Sequence, residues 1–142
     1  MAAYNKFTGT TSGVDMIVKA ANLATDAFKI YLTNAVSATD VTYNTGTTLE
    51  ITAGNGYTAG GNSCSTTSAT TTGGVFKLIL ASPATWTATG AVGPFRYAVL
   101  YDSTQGTNNL IGYWDYGSSI TMASGDTFSV TLDGTNGVFT VT

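Results

Sequence analysis

From residue 26 onward, hydrophobic and polar side chains alternate in short stretches, with the period of two that is typical of half-buried β-strands. In 27–33 the even-numbered residues, such as Phe28 and Ile30, form an apolar face. In 95–101 the pattern sets the odd-numbered residues, beginning with Phe95, against Arg96 and the other even-numbered ones. The nearly all-apolar run 75–81 predicts a central strand. Further strands are predicted at 110–116, 127–132 and 138–141, with shorter ones at 41–43, 63–67 and 85–87.

Glycine-containing segments separate these strands. The segment 133–137 (DGTNG) lies between two alternating runs and predicts a hairpin that joins them. Gly93 and Pro94 mark another turn, before the strand that starts at Phe95. The glycine-rich segment 53–61 lacks the GK[ST] ending of a phosphate-binding loop, so we interpret it as a compact loop with several residues at positive φ.

The N-terminal region has a different pattern. Val14, Ile17 and Val18 belong to an apolar stripe that predicts a short helix over residues 14–24. Residues 1–13 are small and polar apart from Tyr4 and Phe7, and they indicate an extended arm. Because exposed aromatic rings gain nothing on a free tail, we expect a neighbouring chain to receive this arm.

Together these elements predict a mainly β protein. About eight strands and one thin helix favour an antiparallel β-sandwich, of which a jelly roll is one form. The chain length of 142 residues and the lack of a long linker predict a single domain over residues 1–142.

The composition is poor in reactive groups. The chain contains no histidine and one cysteine, and only 9% of its residues are charged, whereas 43% are hydrophobic. We therefore expect no enzymatic activity, no cofactor and no metal site. Cys64 is expected to be a small residue near a turn, the alternative being a reactive thiol.

Charge and hydropathy limit the partners. The net charge is −3, and the five cations are scattered, so we expect no nucleic-acid partner. No apolar run approaches the roughly 20 residues that span a bilayer, and residues 1–6 do not resemble a signal peptide, so we expect no membrane partner. With so few charges, much of the surface is expected to be buried in an assembly.

The segment around Asp115 holds the clearest candidate site. On a strand, Trp114 and Tyr116 share one face, while Tyr113 and Asp115 share the other. Aromatic rings beside a carboxylate favour either a subunit contact or a carbohydrate-binding platform. Arg96 should be partly buried and needs a partner, for which the candidates are Asp102, Asp115 and backbone carbonyls. We take Tyr4, Phe7, Arg96, Trp114 and Tyr116 as candidate subunit or capsid contacts.

Five blocks in order resemble a known family. They are AAYNKFT, DAFKIYLTNA, AGNGYTAGG, GPFRYAVLYDS and LIGYWDYGSSITMASGDTFSV, spread over nearly the whole chain. In this order they resemble small virion proteins of tailed bacteriophages.

The resemblance implies a structural component of the particle. The preferred role is a capsid decoration, or cement, protein that binds the outer capsid surface between capsomers and stabilises the shell. Its expected partners are the major capsid protein and copies of itself, as a homotrimer, on virions assembled in the bacterial cytoplasm. The alternatives are a tail- or fibre-associated structural protein and a carbohydrate-binding module that uses Trp114, Tyr116 and Trp86.

Overall fold

A computed structural model describes residues 4–6, 22–104 and 106–142 of the chain. Within these residues the protein is mainly β and its strands pair antiparallel. The strands are β1 (Tyr4–Lys6), β2 (Phe28–Thr33), β3 (Asn62–Cys64), β4 (Thr66–Thr72), β5 (Val75–Leu80), β6 (Trp86–Thr87), β7 (Val92–Asp102), β8 (Leu110–Met122), β9 (Thr127–Phe128) and β10 (Phe139–Val141).

The strands form three sheets. The largest has the order β1-β8-β7-β2-β3, the second has the order β10-β5-β4, and the third pairs β6 with β9. The predicted central strand at 75–81 is confirmed, because β5 lies in the middle of its sheet. Gly73 and Gly74, at φ 58° and 83°, form the tight turn between β4 and β5, a geometry that glycine adopts without a Cβ penalty.

One hydrophobic core is shared by all three sheets. Phe28 and Leu100 enter it from the five-stranded sheet, Leu78 from the three-stranded sheet and Trp86 from the two-stranded sheet. Burial of these large side chains is the main favourable contribution to folding. The core therefore fixes how the sheets face one another, although their strands are not hydrogen-bonded between sheets.

The opposite face of the five-stranded sheet is also covered. Tyr31, Val99 and Leu110 are fully buried there, and Val36 and Tyr43 from the segment 34–60 pack against them. The alternation in 27–33 correctly separates Phe28 and Ile30 from Tyr31. The 34–60 segment packs on the second face of the five-stranded sheet, and residues on both faces of this sheet are therefore buried.

Several local predictions are wrong. The short strand predicted at 41–43 is only an isolated bridge at Thr42, and the strand predicted at 127–132 is limited to β9. The segment 133–137 turns as expected, but β9 pairs with β6 and β10 pairs with β5, so no hairpin forms across it. Gly93 and Pro94 lie inside β7 rather than in a turn before it. The register of β7 against β8 shifts on both sides of Phe95, and this bulge places Phe95 in the same core as Ala98, not on the face of Val99.

The N-terminal predictions have different outcomes. Tyr4–Lys6 is extended, as predicted for the arm, and it pairs with β8 of the same chain. That a neighbouring chain receives the arm stays a prediction. Asn22–Asp26 forms a turn in which the Asp26 carboxylate accepts a hydrogen bond from the Asn22 N–H at 2.9 Å. The predicted helix falls almost entirely on residues 7–21, which lie outside the described residues, as does Phe7.

Candidate functional site

A groove of about 380 Å³ opens beside the five-stranded sheet, where β7 and β8 approach β9. Trp114 and Tyr116 both line it, so the prediction that they share one face is confirmed. The complete lining is Arg96, Ala98, Trp114, Tyr116, Phe128, Ser129, Val130 and Thr131. Three of the five candidate contact residues, Arg96, Trp114 and Tyr116, therefore meet at one place.

An ion pair lies beside the aromatic rings. The Arg96 guanidinium donates from Nε and Nη2 to the two carboxylate oxygens of Asp115, each at 2.7 Å. Asp115 is thus the partner among the three that the sequence left open. The hydrogen bonds from Arg96, and a further one from the Gly117 N–H, hold the pKa of Asp115 below its ordinary value. The carboxylate therefore stays ionised and fixed at neutral pH.

Each ring at the groove is supported by a second ring. Tyr4 packs against Trp114 with ring centroids 5.0 Å apart. Phe128 meets Tyr116 edge to face at 6.0 Å and is itself packed against Phe95 at 4.9 Å. Although 55% of Tyr116 is exposed, its contact with Phe128 connects its ring to the hydrophobic core. These ring contacts restrict the aromatic side chains of the groove to fixed positions.

Tyr4 packs against β8 of its own chain. Its ring lies over Gly112 and beside Trp114, and its buried hydroxyl has no hydrogen-bond partner among the described residues. Burial raises the pKa of this hydroxyl well above its ordinary value. Tyr4 thus supports Trp114 from the neighbouring strand, on the same face of the sheet.

Sequence reasoning missed the β9 side of the groove. Phe128 and Val130 lie in the run 127–132, where alternation marks them only as apolar positions of a predicted strand. Their place opposite Trp114 depends on the pairing of β9 with β6, for which the sequence carries no local signal.

A second polar cluster surrounds Glu50 in the segment 34–60. Its carboxylate accepts hydrogen bonds from the hydroxyls of Tyr43 and Tyr57 and, at 2.7 Å, from the Gly60 N–H. Burial, with the neighbouring Glu50 charge, raises the pKa values of Tyr43 and Tyr57. The Tyr57 hydroxyl also accepts a hydrogen bond from the Leu32 N–H, so this cluster fastens the segment to β2.

The glycine-rich segment 53–61 is the compact loop that the sequence predicts. Gly54, Gly56, Gly60 and Gly61 all have positive φ. A Cβ at Gly61 would lie 1.9 Å from the Ile30 carbonyl oxygen, so glycine is required for the close approach of this loop to β2.

Cys64 lies in the core. It ends β3, which directly follows the turn closed by Gly61 and Thr58, so it is near a turn as expected. It also pairs with Phe28 of β2 and is 3% exposed. Burial raises the pKa of its thiol to about 12, which makes it a poor nucleophile at neutral pH.

The described residues lack two further kinds of feature. Within residues 4–6, 22–104 and 106–142, no three His, Cys, Asp or Glu side chains are grouped so that they could hold a metal ion. Across that same part of the chain, no helix has both the length and the apolar character needed to cross a membrane.

Comparisons of the chain with protein-family models, with curated proteins and with solved structures found no match.

Proposed function

We propose that this chain is a capsid decoration protein of a tailed bacteriophage, which binds the outer shell between capsomers and stabilises it. The ordered sequence blocks that resemble small virion proteins support the choice of this class. We further propose that the three sheets form a β-sandwich and that the protein acts as a homotrimer on virions assembled in the bacterial cytoplasm.

The observation that carries the proposal is that the carboxylates accept hydrogen bonds from their own chain. The chain has eight acidic residues, and all seven within the described residues accept hydrogen bonds from their own chain. These residues are Asp26, Asp40, Glu50, Asp102, Asp115, Asp126 and Asp133. They bind backbone N–H groups of turns and loops, tyrosine hydroxyls or Arg96. The seven described carboxylates therefore help to fix turns, loops and the Arg96 side chain.

A rigid, weakly charged surface suits packing against other proteins. Serine, threonine, asparagine and glycine cover much of the exterior, for example along β4 (TTSATTT), where three of the last four side chains are exposed threonines. Such a surface loses little solvation free energy when another protein covers it, because few full charges are desolvated. A decoration protein stabilises the shell by binding only its assembled state.

The copy number in purified particles tests this proposal. A decoration protein should be present in numbers comparable to the major capsid protein, whereas a tail or fibre component should be far rarer. Adding the purified chain back to particles that lack it should raise the temperature at which the shell opens. A low copy number, or attachment without any rise in that temperature, would refute the proposed role.

A further inference from the structure

We propose that the groove between β8 and β9 binds a neutral saccharide, with its apolar face against Trp114 and Tyr116 and its hydroxyls on Arg96. The inference is carried by the geometry of the groove and does not depend on where the protein resides.

The aromatic half of the groove is suited to a sugar ring. One face of a pyranose carries mainly C–H groups, and such a face packs on an aromatic ring. Tyr116 offers most of its surface to solvent, and Trp114 is partly exposed beside it. Because Phe128 and Tyr4 support these two rings, little side-chain entropy is lost when a ligand packs on them.

The polar half supplies hydrogen-bond donors. Two of the five guanidinium N–H donors of Arg96 bind Asp115, which leaves three for a ligand. Asp115 lies outside the groove lining and holds the guanidinium in place. Vicinal hydroxyls of a sugar can accept hydrogen bonds from the remaining donors.

The charge of the groove favours a neutral ligand over an ionic one. Arg96 and Asp115 form a bidentate pair with no net charge. Because Asp115 neutralises the Arg96 guanidinium from outside the groove lining, an anion gains little attraction there, and a cation would be repelled by Arg96. A neutral polyol can bind with the pair intact.

The size of the groove favours a small molecule over a protein subunit. Its volume of about 380 Å³ lies at the lower end of the roughly 300–1,000 Å³ range typical of small-molecule sites. Ala98 and Val130 contribute apolar surface, and Ser129 and Thr131 also line the groove. A concave site that mixes rings with a few fixed polar groups is typical of small-ligand recognition.

The test uses the full chain and the methyl glycosides of glucose, galactose, mannose and N-acetylglucosamine, with glucuronate as the anionic comparison. The two indole N–H signals in a nitrogen-correlated NMR spectrum report on different places, because Trp114 lines the groove and Trp86 is 2% exposed in the core. At least one neutral glycoside should shift the Trp114 signal in a saturable manner and leave the Trp86 signal unchanged.

Tyr116→Ala should weaken this binding by at least about tenfold. Leu49→Ala is the matched control, because Leu49 is a similarly exposed apolar residue (53%) outside the groove, and it should leave binding unchanged. The proposal is overturned if no glycoside shifts the Trp114 signal, if glucuronate binds more tightly than every neutral glycoside, or if Tyr116→Ala leaves binding intact. If Tyr116→Ala only reduces attachment to phage particles while the wild-type chain binds no glycoside, the groove is instead a shell contact, and the decoration role still stands.

Discussion

The ring of Tyr4 occupies the space that a side chain at Gly112 would fill. A Cβ built on Gly112 would lie 2.2 Å from the Tyr4 hydroxyl oxygen, and β1 pairs with β8 at this point, with Lys6 opposite Gly112. The Tyr4 ring, which packs over Gly112 of β8, therefore holds the N-terminal strand β1 in place. This contact also positions Trp114, the groove residue against which Tyr4 packs.

Gly112→Ala should displace Tyr4 and release β1 from the edge of the sheet. The colliding atoms belong to the far end of a flexible side chain, so the cost in unfolding free energy should be about 1–2 kcal/mol. Faster amide exchange at Asn5 and easier proteolysis of the N-terminal residues would reveal the release. Gly134→Ala is the control, because a Cβ at Gly134 meets nothing within 4 Å. Unchanged protection of Asn5 in Gly112→Ala would contradict this account.

Arg96→Gln should raise the pKa of Asp115 toward its ordinary value, because the hydrogen bonds from the guanidinium are the main cause of its depression. Carboxyl carbon shifts followed by NMR through an acid titration measure this pKa. Asp133 is an internal control, because Asn136 and Thr135 lower its pKa independently of Arg96. A shift of both carboxylates would point to a general loss of structure instead.

The same pair gives the pH dependence of saccharide binding a definite sign. Asp115 has a lowered pKa in the folded protein, so the stability that its pairing with Arg96 contributes is present above the unfolded-state pKa. That contribution is lost as the pH falls through the folded-state value. Glycoside binding should therefore be constant near neutral pH and weaken only in acid.

Tyr57→Phe should destabilise the fold more than Tyr101→Phe. The Tyr57 hydroxyl donates to Glu50 at 2.6 Å and accepts from the buried Leu32 N–H at 3.0 Å, whereas the Tyr101 hydroxyl donates to the Gly60 carbonyl at 3.0 Å. Removing the Tyr57 hydroxyl leaves the Leu32 donor without its partner, at a cost of about 2–3 kcal/mol, against about 1 kcal/mol for Tyr101→Phe. Urea denaturation measures both values, and equal losses would refute the role assigned to Tyr57.

The Cys64 thiol should resist modification in the folded protein. Its side chain points from β3 into the core, and burial raises its pKa to about 12, so little thiolate exists at pH 8. A thiol-reactive chromogenic disulfide should label it only at the rate of unfolding, with full labelling in denaturant. Rapid labelling of the native chain would show that the core opens locally at β3.

The candidate site could be predicted only in part. The shared face of Trp114 and Tyr116 follows from the alternation of a strand, and the need of Arg96 for a partner follows from its apolar neighbours. The choice of Asp115 over Asp102 does not follow, because it depends on the register of β7 against β8. Phe128 completes the groove from a strand that pairs with Trp86 and Thr87, a contact between distant parts of the chain.

The sequence by itself determined where most strands lie, that the glycine-rich segment 53–61 is a compact loop and which residues carry the aromatic surface, because these properties depend on neighbours within a few positions. Tertiary structure decided that the strands flanking Asp133 enter different sheets, that the bulge beside Gly93 turns Phe95 into the core, and that Tyr4 lies on its own β8. Each of these outcomes depends on which distant surfaces exclude water together, and such pairings leave no local pattern in the sequence.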